Sequence, residues 1–346
     1  MMRAVVFDGF GTPPQVREVP EPDCPADGAV IEVLATGLCR SDWHGWVGHD
    51  SGIALPHVPG HEFAGVVGRV GPSVTTCAVG QRVTVPFVCA CGSCPQCRSG
   101  DHQVCSRQTQ PGFTHWGSFA ERVAIDHADV NLVALPDDLD LDSAAGLGCR
   151  FATAYRALTV HGRVQPGDLV AVHGCGGVGL SAVMIATAMG ARVIAVDISA
   201  QARRLATELG AEASVDAGST DVAQHIIDLS DGGVQVSMDA LGSTVTSVNS
   251  ISCLRPRGRH LQVGLLAGAD ARPRMPMDLV IAGELEIYGS HGMPAHDYPE
   301  MLAQVASGVL RPAGLITRRI SLEQTPAALM AMGGNPSAGM TIIRPN

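Results

Sequence analysis

Hydrophobic and polar positions follow different patterns in the two halves of the chain. In the first half, short runs rich in β-branched residues occur at 29–37, 63–71 and 82–88, separated by glycine and proline. Short strands closed by turn residues predict an irregular, β-rich domain over residues 1–150. The N-terminal stretch MMRAVVFDGF lacks the basic segment and long apolar run of a signal peptide, so we interpret it as the first strand of this domain.

Beyond residue 150, strand-like apolar runs alternate with stretches of helical periodicity. Ser199 stands where the N-cap of one helix belongs, and Gly190 and Gly210 stand where helices end. The strand-like runs occupy 169–174, 192–197, 234–241 and 258–266. Because strands that alternate with helices form parallel sheets, this half predicts a doubly wound α/β domain over 151–287.

The C-terminal segment 288–346 returns to mixed structure and ends in the strand-like MTIIRP. We therefore predict that the doubly wound domain is inserted into the first domain, which 288–346 completes. A chain of 346 residues is long enough for two domains that each bury a core.

Composition narrows the function classes. Apolar residues make up 46% of the chain, yet no apolar run reaches the roughly 18 residues that a membrane span needs. A net charge of −10 without a basic face argues against a nucleic-acid partner. All 23 basic residues are arginine, which excludes Schiff-base lysines, P-loop lysines and Tyr-x-x-x-Lys dehydrogenase pairs.

A glycine-rich turn follows the predicted strand at 169–174. Gly174, Gly176 and Gly179 form G-x-G-x-x-G, which lets a pyrophosphate approach the backbone at a helix N-terminus. The expected cofactor contacts in the turn are Gly174, Gly176, Gly177, Val178 and Gly179. Asp197 ends the next strand, and its carboxylate can accept hydrogen bonds from adenosine ribose hydroxyls. The alternative is a glycine-rich turn with an unrelated surface aspartate.

Asp197 also bears on which nicotinamide cofactor binds. Its charge would repel a 2′-phosphate and therefore favours NAD over NADP. Arg203 and Arg204 follow closely and could tolerate such a phosphate, so a comparison of kcat/KM with the two cofactors has to decide.

Four of the 11 cysteines fall within 15 residues as C-x2-C-x2-C-x7-C. They are Cys91, Cys94, Cys97 and Cys105. Short spacers allow four sulfurs to converge on one tetrahedral ion, and closed all-thiolate sites of this kind hold structural Zn²⁺. We predict a structural zinc lobe over about 89–107. An iron–sulfur cluster and disulfides are the alternatives, and Cys89 stays unassigned.

A second candidate metal site combines residues that are distant in sequence. Cys39 begins the segment C-R-S-D-W-H, His61 lies in G-H-E, and Cys149 stands at the predicted domain boundary. A lone cysteine is more often a core residue, and a lone histidine more often a structural one. The polar groups around Cys39 and His61, together with the four-cysteine lobe, favour a metal.

These motifs, taken in order, resemble the zinc-dependent alcohol dehydrogenases of the medium-chain dehydrogenase/reductase superfamily. The resemblance covers the whole chain and includes G-H-E at 60–62, the four-cysteine lobe, the glycine motif and G-Q-R-V at 80–83 in place of G-D-x-V. It implies a GroES-like catalytic domain with an inserted Rossmann domain, two zinc ions per chain and NAD.

The resemblance also implies a role for each residue of the second metal site. Cys39, His61 and Cys149 would bind a catalytic zinc. Glu62 would lie beside the metal. Asp42 would orient His61 through a hydrogen bond, which fixes the imidazole tautomer.

Proton transfer and cofactor binding are assigned by the same resemblance. Ser41 would accept the proton of the substrate hydroxyl first, and His44 would end the relay, reached through the cofactor ribose. The alternative for His44 is an ordinary surface histidine. The expected cofactor contacts outside the glycine turn are Arg40 at the pyrophosphate, Thr153 by the nicotinamide, Val263 and Leu265. Met340 replaces an arginine that many relatives carry, which places more weight on Arg40.

Aromatic residues are the candidates for the substrate pocket. Phe87 matches a pocket residue of relatives, and Trp43, Trp46 and Trp116 fall in the same predicted domain. The alternative is that tryptophans fill the core. If they line the pocket, aromatic or medium-length alcohols are the expected substrates.

The expected activity is reversible hydride transfer between a primary or secondary alcohol and NAD, giving an aldehyde or ketone. Cys149 argues against the rival polyol or amino-alcohol dehydrogenases, which often carry glutamate there. Two further rivals are a zinc-free enoyl or quinone reductase of the same fold and a non-enzymatic NAD-binding protein. We further expect a cytoplasmic protein, in which clustered cysteines bind metal in preference to forming disulfides. The long insertion of the dimeric animal enzymes is absent, so a homotetramer is expected.

Overall fold

The structure is a computed structural model that describes residues 1–219, 221–334 and 338–345. The chain divides into two compact units. Among the described residues, the first unit contains a two-stranded sheet near the N-terminus and a seven-stranded sheet, and the second contains a six-stranded sheet. The first unit comprises Met1–Ala152, Gly292–Gly308 and Ile316–Asn346, and the second comprises Thr153–His291 and Val309–Leu315.

Up to residue 156, short strands are interspersed with short helices. In chain order they are β1 (Met2–Val6), β2 (Gln15–Val19), β3 (Ala29–Leu38), α1 (Arg40–Trp46), β4 (Phe63–Val70), β5 (Arg82–Thr84), α2 (Pro95–Arg98), β6 (Arg122–Ile125), α3 (Ala128–Asn131), β7 (Val133–Ala134), α4 (Leu141–Ala145) and α5 (Ala152–Arg156). A wide helical turn of π type covers Leu147–Phe151. Such turns often occur at functional sites.

The second unit alternates strands with helices, as the sequence predicts. Its elements are β8 (Leu169–His173), α6 (Gly177–Ala188), β9 (Arg192–Asp197), α7 (Ala200–Glu208), β10 (Ala213–Asp216), α8 (Val222–Leu229), β11 (Val234–Asp239), α9 (Thr244–Ser252), β12 (Leu254–Gln262), α10 (Met277–Ala282) and β13 (Glu286–Gly289). All strand pairs are parallel, in the order β10-β9-β8-β11-β12-β13 of a doubly wound sheet. Every residue of β8 is buried, as expected when helices cover both faces.

The chain then returns to the first unit. The last elements are α11 (Tyr298–Ala306), β14 (Ile316–Ser321), α12 (Thr325–Ala331) and β15 (Met340–Arg344). The main sheet of this unit has the order β14-β15-β3-β4-β5-β7, with β6 also paired to β3. Along β3, Ile31 and Val33 are fully buried while Glu32 between them is exposed, which is the period of two expected for a strand.

The unit boundaries differ slightly from the predicted ones. The sequence placed the return to the first domain at 288, whereas Tyr288 and Gly289 lie on β13, paired with β12. The second unit also takes up 309–315, because Gly314 packs close to Leu209 and Met184. Residues 288–289 and 309–315 are too short to show a hydrophobic period, so the sequence could not assign them to the second unit.

Helix ends in the second unit follow their predicted caps. The Ser199 side chain accepts a hydrogen bond from the Ala202 N–H at 3.3 Å, which satisfies a donor in the first turn of α7. Gly190 and Gly210 follow α6 and α7 with φ of +82° and +111°, a backbone conformation that favours glycine.

None of the helices in the described part of the chain combines the length and the apolar character required to cross a membrane.

Candidate active site

Cys39 lies between the end of β3 and the start of α1. Its backbone N–H donates to Asp42 Oδ2 at 2.8 Å, so Asp42 closes the first turn of α1 in the manner of a capping box. This local bond fixes the buried Asp42 carboxylate within one turn of the Cys39 sulfur.

Asp42 in turn orients His61. Its Oδ1 accepts hydrogen bonds from His61 Nδ1 at 2.9 Å and from the Gly60 N–H at 3.1 Å. His61 is completely buried, and its Nε2 has no hydrogen-bond partner among the described residues. A buried imidazole nitrogen without a partner is costly, so this atom is positioned for a ligand that the protein itself does not supply.

Cys149 lies on the π turn and completes the cluster. The ligand atoms of Cys39, His61, Glu62 and Cys149 all lie within 4.8 Å of one another. Two thiols and an imidazole that bonds to a carboxylate through its other nitrogen form a typical catalytic zinc donor set with an open position. The unpaired Nε2 of His61 therefore fits Zn²⁺.

Arg150 restrains the Glu62 carboxylate, which lies beside the open position of this donor set, by hydrogen bonds to both of its oxygens. The Arg150 backbone N–H donates to Glu62 Oε1 at 2.7 Å, and its guanidinium donates twice to Oε2, from Nε at 2.8 Å and from Nη2. Both side chains are buried. A Cβ at Gly37 would lie 2.6 Å from both Glu62 Oε2 and Arg150 Nη2, so glycine is needed there.

A hydrogen bond joins Cys39 and Cys149 and shifts the pKa values of the two thiols in opposite directions. A hydrogen bond from the Cys149 thiol, helped by His61 and Arg150, lowers the pKa of Cys39 well below its ordinary value despite burial. The same bond and burial raise the pKa of Cys149. Of the two sulfurs, Cys39 is therefore the one that ionises more readily, and a bound Zn²⁺ would require Cys149 to lose its proton as well.

The four-cysteine lobe forms a second closed cluster. Cys94 Sγ lies 3.3 Å from Cys97 Sγ and 3.6 Å from Cys105 Sγ, and Cys91 Sγ lies 4.0 Å from Cys97 Sγ. Thiolates bound tetrahedrally to Zn²⁺ at about 2.3 Å are separated by about 3.8 Å, which matches these distances. No disulfide occurs among the eleven cysteines.

Backbone N–H groups stabilise thiolates in the lobe. Hydrogen bonds from the backbone of Ser93 lower the pKa of Cys91 to about 5, and those from Cys97 lower the pKa of Cys94 to about 7. Burial raises the pKa of Cys97 to about 12. Cys91 and Cys94 are therefore the sulfurs that ionise most readily, and a bound cation would favour the thiolate form of the other two.

The glycine turn after β8 has the geometry of a nucleotide site. A Cβ at Gly179 would lie 1.8 Å from the Gly174 carbonyl oxygen, so only glycine lets α6 start this close to the strand. Gly174 has a φ of +92°. A Cβ at Gly176 would meet nothing within 4 Å, which leaves open space above the N-terminus of α6 for a pyrophosphate.

Asp197 lies beside this turn at the end of β9. Its Oδ2 accepts the Cys175 N–H and its Oδ1 accepts the Ser199 N–H, both at 2.7 Å. Arg203 donates to the Asp197 carbonyl at 2.6 Å and to Asp216 Oδ2 at 3.0 Å. The guanidinium that could have received a phosphate is therefore already engaged, whereas Arg204 is exposed.

The other predicted cofactor residues of the second unit have different exposures. Thr153 is buried, and its hydroxyl has no hydrogen-bond partner in the described part of the chain. Val263 is half-buried and Leu265 is 60% exposed, at the carboxyl end of β12 where ligands of doubly wound sheets bind.

The predicted relay residues lie on α1. The Ser41 hydroxyl is 3.7 Å from Cys39 Sγ, and the half-buried His44 shares a hydrogen bond of 2.8 Å between its Nδ1 and that of the exposed His49. The Arg40 guanidinium lies over the Trp43 ring, 4.3 Å from its centroid, and donates a hydrogen bond to the Met332 carbonyl.

The predicted pocket aromatics separate into two groups. Phe87 lies 6.2 Å from the His61 ring, centroid to centroid. Trp43 and Trp116 are half-buried against an apolar cluster, and the Trp116 indole donates to the Pro56 carbonyl. Trp46 is buried in that cluster, so it belongs to the core and does not line a pocket.

Comparison with known proteins decides the family. The family model of the alcohol dehydrogenase GroES-like domain matches residues 25–137, and that of zinc-binding dehydrogenases matches 177–307. An alcohol dehydrogenase from Geobacillus stearothermophilus is 36% identical over 315 residues, covering 90% of both chains. The chain belongs to the zinc-dependent alcohol dehydrogenase family of the medium-chain dehydrogenase/reductase superfamily. The predicted family and fold class are thereby confirmed.

The relatives of this chain include a polyol enzyme and a solved structure with bound NADP. A sorbitol dehydrogenase from Halalkalibacterium halodurans is 31% identical over 336 residues, 96% of both chains. An alcohol dehydrogenase from Thermus sp. ATN1 matches with a TM-score of 0.90 and 30% identity over 99% of both chains. A zinc-binding dehydrogenase from Sinorhizobium meliloti 1021 bound to NADP matches with 0.89 and 30% identity, over 100% of this chain and 99% of that one.

Three residues near the site were missed by sequence reasoning. Arg150 adjoins Cys149 but has the sequence context of an ordinary surface arginine. Phe113 lies 5.2 Å from the His61 ring and carries no sequence signal. His49 stands five residues after His44, a spacing that a search for paired histidines on and beyond α1 would have found.

Proposed function

We propose that this protein oxidises primary or secondary alcohols, including aromatic ones, to aldehydes or ketones with NAD, reversibly. The observation that carries the proposal is the buried cluster of Cys39, His61 and Cys149, with His61 Nε2 left without a partner among the described residues. In this proposal those three residues hold the catalytic zinc, and the four-cysteine lobe holds a structural one.

Zinc supplies a Lewis acid that lowers the pKa of an alcohol hydroxyl, and NAD supplies the hydride acceptor. The chain's own residues position these groups. Asp42 fixes the His61 tautomer, which leaves Nε2 as the metal donor. Phe87 and Phe113 flank the imidazole and limit access of water on that side.

The proton of the substrate hydroxyl has to leave a water-poor site. Ser41, beside Cys39, is the proposed first acceptor, and His44 the proposed last one, with the cofactor ribose between them. His44 is half-buried and hydrogen-bonded to the exposed His49, so its proton has a short way to solvent.

Replacing His44 by glutamine tests the relay. Burial, followed by the charges of Arg40 and His49, lowers the pKa of His44 below its ordinary value, so the neutral, proton-accepting form persists to lower pH. We expect His44→Gln to lower kcat for alcohol oxidation by about 10–100-fold and to change the acidic limb of the pH–rate profile. His225→Gln, an exposed histidine in the second unit, is the control, and an unchanged profile in His44→Gln would remove that residue from the relay.

Selection of NAD over NADP is proposed to rest on Asp197. Its charge disfavours a 2′-phosphate, and Asp216 and the Asp197 carbonyl engage Arg203. We expect kcat/KM to be at least about tenfold higher with NAD, and Asp197→Asn to reduce that ratio. Initial rates with both cofactors measure it, and a wild-type preference for NADP would overturn the assignment.

The activity itself is tested by a substrate panel with and without a chelator. Primary, secondary and aromatic alcohols are offered with NAD, and its reduction is followed by the near-ultraviolet absorbance of NADH. Activity should require zinc and exceed that with polyols. Zinc-independent turnover, or no turnover of any alcohol, would refute the proposal.

A polyol dehydrogenase is the second candidate, because one relative of high coverage is a sorbitol dehydrogenase. Cys149 remains the argument against it, and sorbitol and xylitol belong in the panel for that reason.

We also propose a tetramer in a reducing compartment such as the cytoplasm. All eleven cysteines are free thiols. β13 forms an edge of its sheet, and the neighbouring α10 exposes Met277 (51%), Leu279 (41%) and Ile281 (76%). Edges and apolar patches of this kind are typical of self-association. Light scattering should give four times the chain mass of 35.8 kDa, and the mass of one chain would refute the proposal.

A further inference from the structure

A buried polar network lies at the carboxyl ends of β11 and β12 and along α9. Its side chains are Ser237, Asp239, Ser247, Ser250, His260 and Gln262. All but the half-buried Gln262 are fully buried. Buried polar groups cost free energy unless every one finds a partner, so a network of this extent is not explained by core packing.

Asp239 is the acceptor on which the network converges. Its Oδ1 accepts the backbone N–H groups of Leu241 at 2.9 Å and Gly242 at 3.0 Å. Its Oδ2 accepts the Ser247 hydroxyl at 2.8 Å and the Gln262 side-chain amide at 3.0 Å. These four donors fill the acceptor capacity of a carboxylate.

The donor and acceptor of each hydrogen bond between Gln262, His260 and Ser250 can be assigned in turn. The Gln262 amide also donates to the Gly264 carbonyl at 2.8 Å, and its Oε1 lies 2.9 Å from the Ser247 hydroxyl and 3.2 Å from His260 Nε2. Because the single Ser247 proton is donated to the charged Asp239, Oε1 accepts from His260 Nε2. His260 Nδ1 then accepts from the Ser250 hydroxyl at 2.8 Å. Burial lowers the pKa of His260, which agrees with a neutral ring bonded in this way.

The backbone of Asp239 holds a second loop. Its carbonyl accepts the Val263 N–H at 3.0 Å and the Gly264 N–H at 2.8 Å, directly after β12. Asp239 therefore fixes Leu241–Gly242 through its side chain and Val263–Gly264 through its main chain. A single residue thus couples the two loops.

The loop at 241–242 fits tightly between two nucleotide-binding segments. Gly242 has a φ of +87°, and a Cβ there would lie 2.4 Å from the Leu265 carbonyl oxygen. On the other side, a Cβ at Gly174 would lie 3.0 Å from Leu241 Cβ. With no spare space on either side, a shift of 241–242 displaces the glycine turn, the 263–265 loop, or both.

We propose that Asp239 is a positioning residue for the nucleotide: its buried carboxylate, through Leu241 and Gly242, sets the spacing between the glycine turn at Gly174 and the loop 263–265. The inference rests on the proposed binding of NAD to these two segments. It adds a determinant that does not itself touch the cofactor.

Two serines on α9 give a matched test. Ser247 and Ser250 are both fully buried and three residues apart. Ser247 contacts Asp239 and Gln262, whereas Ser250 contacts His260 and Ser237 and does not touch Asp239. Ser247→Ala and Ser250→Ala each remove one buried hydroxyl and should lower Tm similarly. NADH binding, followed by fluorescence without alcohol, should weaken about 3–10-fold only in Ser247→Ala, the loss expected for one bond to a charged group.

Exchanging the acid and the amide makes the test stronger. Asp239→Asn places an NH₂ group against a donor and should weaken NADH binding more than tenfold, with KM for alcohol changed far less. Adding Gln262→Glu restores an acceptor opposite the new amide, and the double variant should recover part of the affinity. Since Asp239→Asn alone could fail to fold, the serine pair decides independently.

The outcomes separate the two proposals. If Ser247→Ala binds NADH as tightly as wild type, or if Ser250→Ala weakens binding equally, Asp239 has only a structural role and the inference is wrong. If the wild-type protein binds no NADH at all, the proposed function fails, which the same titration shows before any variant is made.

Discussion

Replacing His61 by glutamine is expected to reduce alcohol oxidation by more than about 100-fold, beyond the 10–100-fold typical of changes to the partners of metal ligands. Glutamine removes the buried Nε2 that completes the donor set of Cys39, His61 and Cys149. The zinc content should fall from two ions per chain to one, because the four-cysteine lobe is a separate cluster. Elemental analysis and initial rates measure both effects.

NADH binding and a cysteine control make this result specific. The glycine turn belongs to the second unit, so NADH titration of His61→Gln should match wild type. Cys89 is buried outside both clusters, and burial raises its pKa to about 12, so it remains a thiol. Cys89→Ala should keep two zinc ions. Two ions in His61→Gln would remove that residue from the metal site.

Removing Arg150 is expected to cause the largest loss of stability. Arg150 and Glu62 are both buried, and breaking such a pair on one side typically costs about 3–5 kcal/mol because the remaining charge is uncompensated. Burial already raises the pKa of Glu62, and Arg150 opposes this rise. In Arg150→Met, Glu62 would take up a proton or admit water. Chemical denaturation followed by circular dichroism gives the free energy of unfolding.

Two further variants separate charge burial from loss of contacts. Glu62→Met combined with Arg150→Met removes both charges and should recover much of the stability. Arg257→Met breaks an ion pair with Glu284 in which both side chains are at least 70% exposed, and should change stability by no more than about 1 kcal/mol. A loss in Arg150→Met as small as in Arg257→Met would contradict the argument.

Local patterns predicted most of the elements and the four-cysteine lobe. The strand at 169–174, the N-cap at Ser199 and the glycine at 179 are set by interactions between near neighbours, so they are visible in the sequence. The four-cysteine lobe is likewise local, since its ligands are separated by only a few residues.

Other features depend on residues that are distant along the chain. Arg150 forms hydrogen bonds with Glu62, which is 88 positions away in sequence. Phe113 lies beside His61, although Phe113 belongs to none of the motifs that the sequence shows. Trp46 is buried in the core, where its indole donates to the Thr12 carbonyl. The sequence around Trp46 does not predict this contact with a residue 34 positions earlier. The Asp239 network joins the ends of two strands and one helix face that become neighbours only in the folded sheet.

The sequence alone therefore predicted the doubly wound sheet and the four-cysteine lobe, because motif spacing and periodicity are properties of short segments. The candidate ligands Cys39, His61 and Cys149 are distant from one another along the chain, and only the resemblance to the family brought them together as a prediction. Only the tertiary structure decided how these residues are supported: that Asp42 orients His61 and that Arg150 restrains Glu62. It also decided that Asp239 holds both the 241–242 and the 263–264 backbone. Support of this kind arises from hydrogen bonds between buried groups, and burial is a property of the fold that no short segment carries.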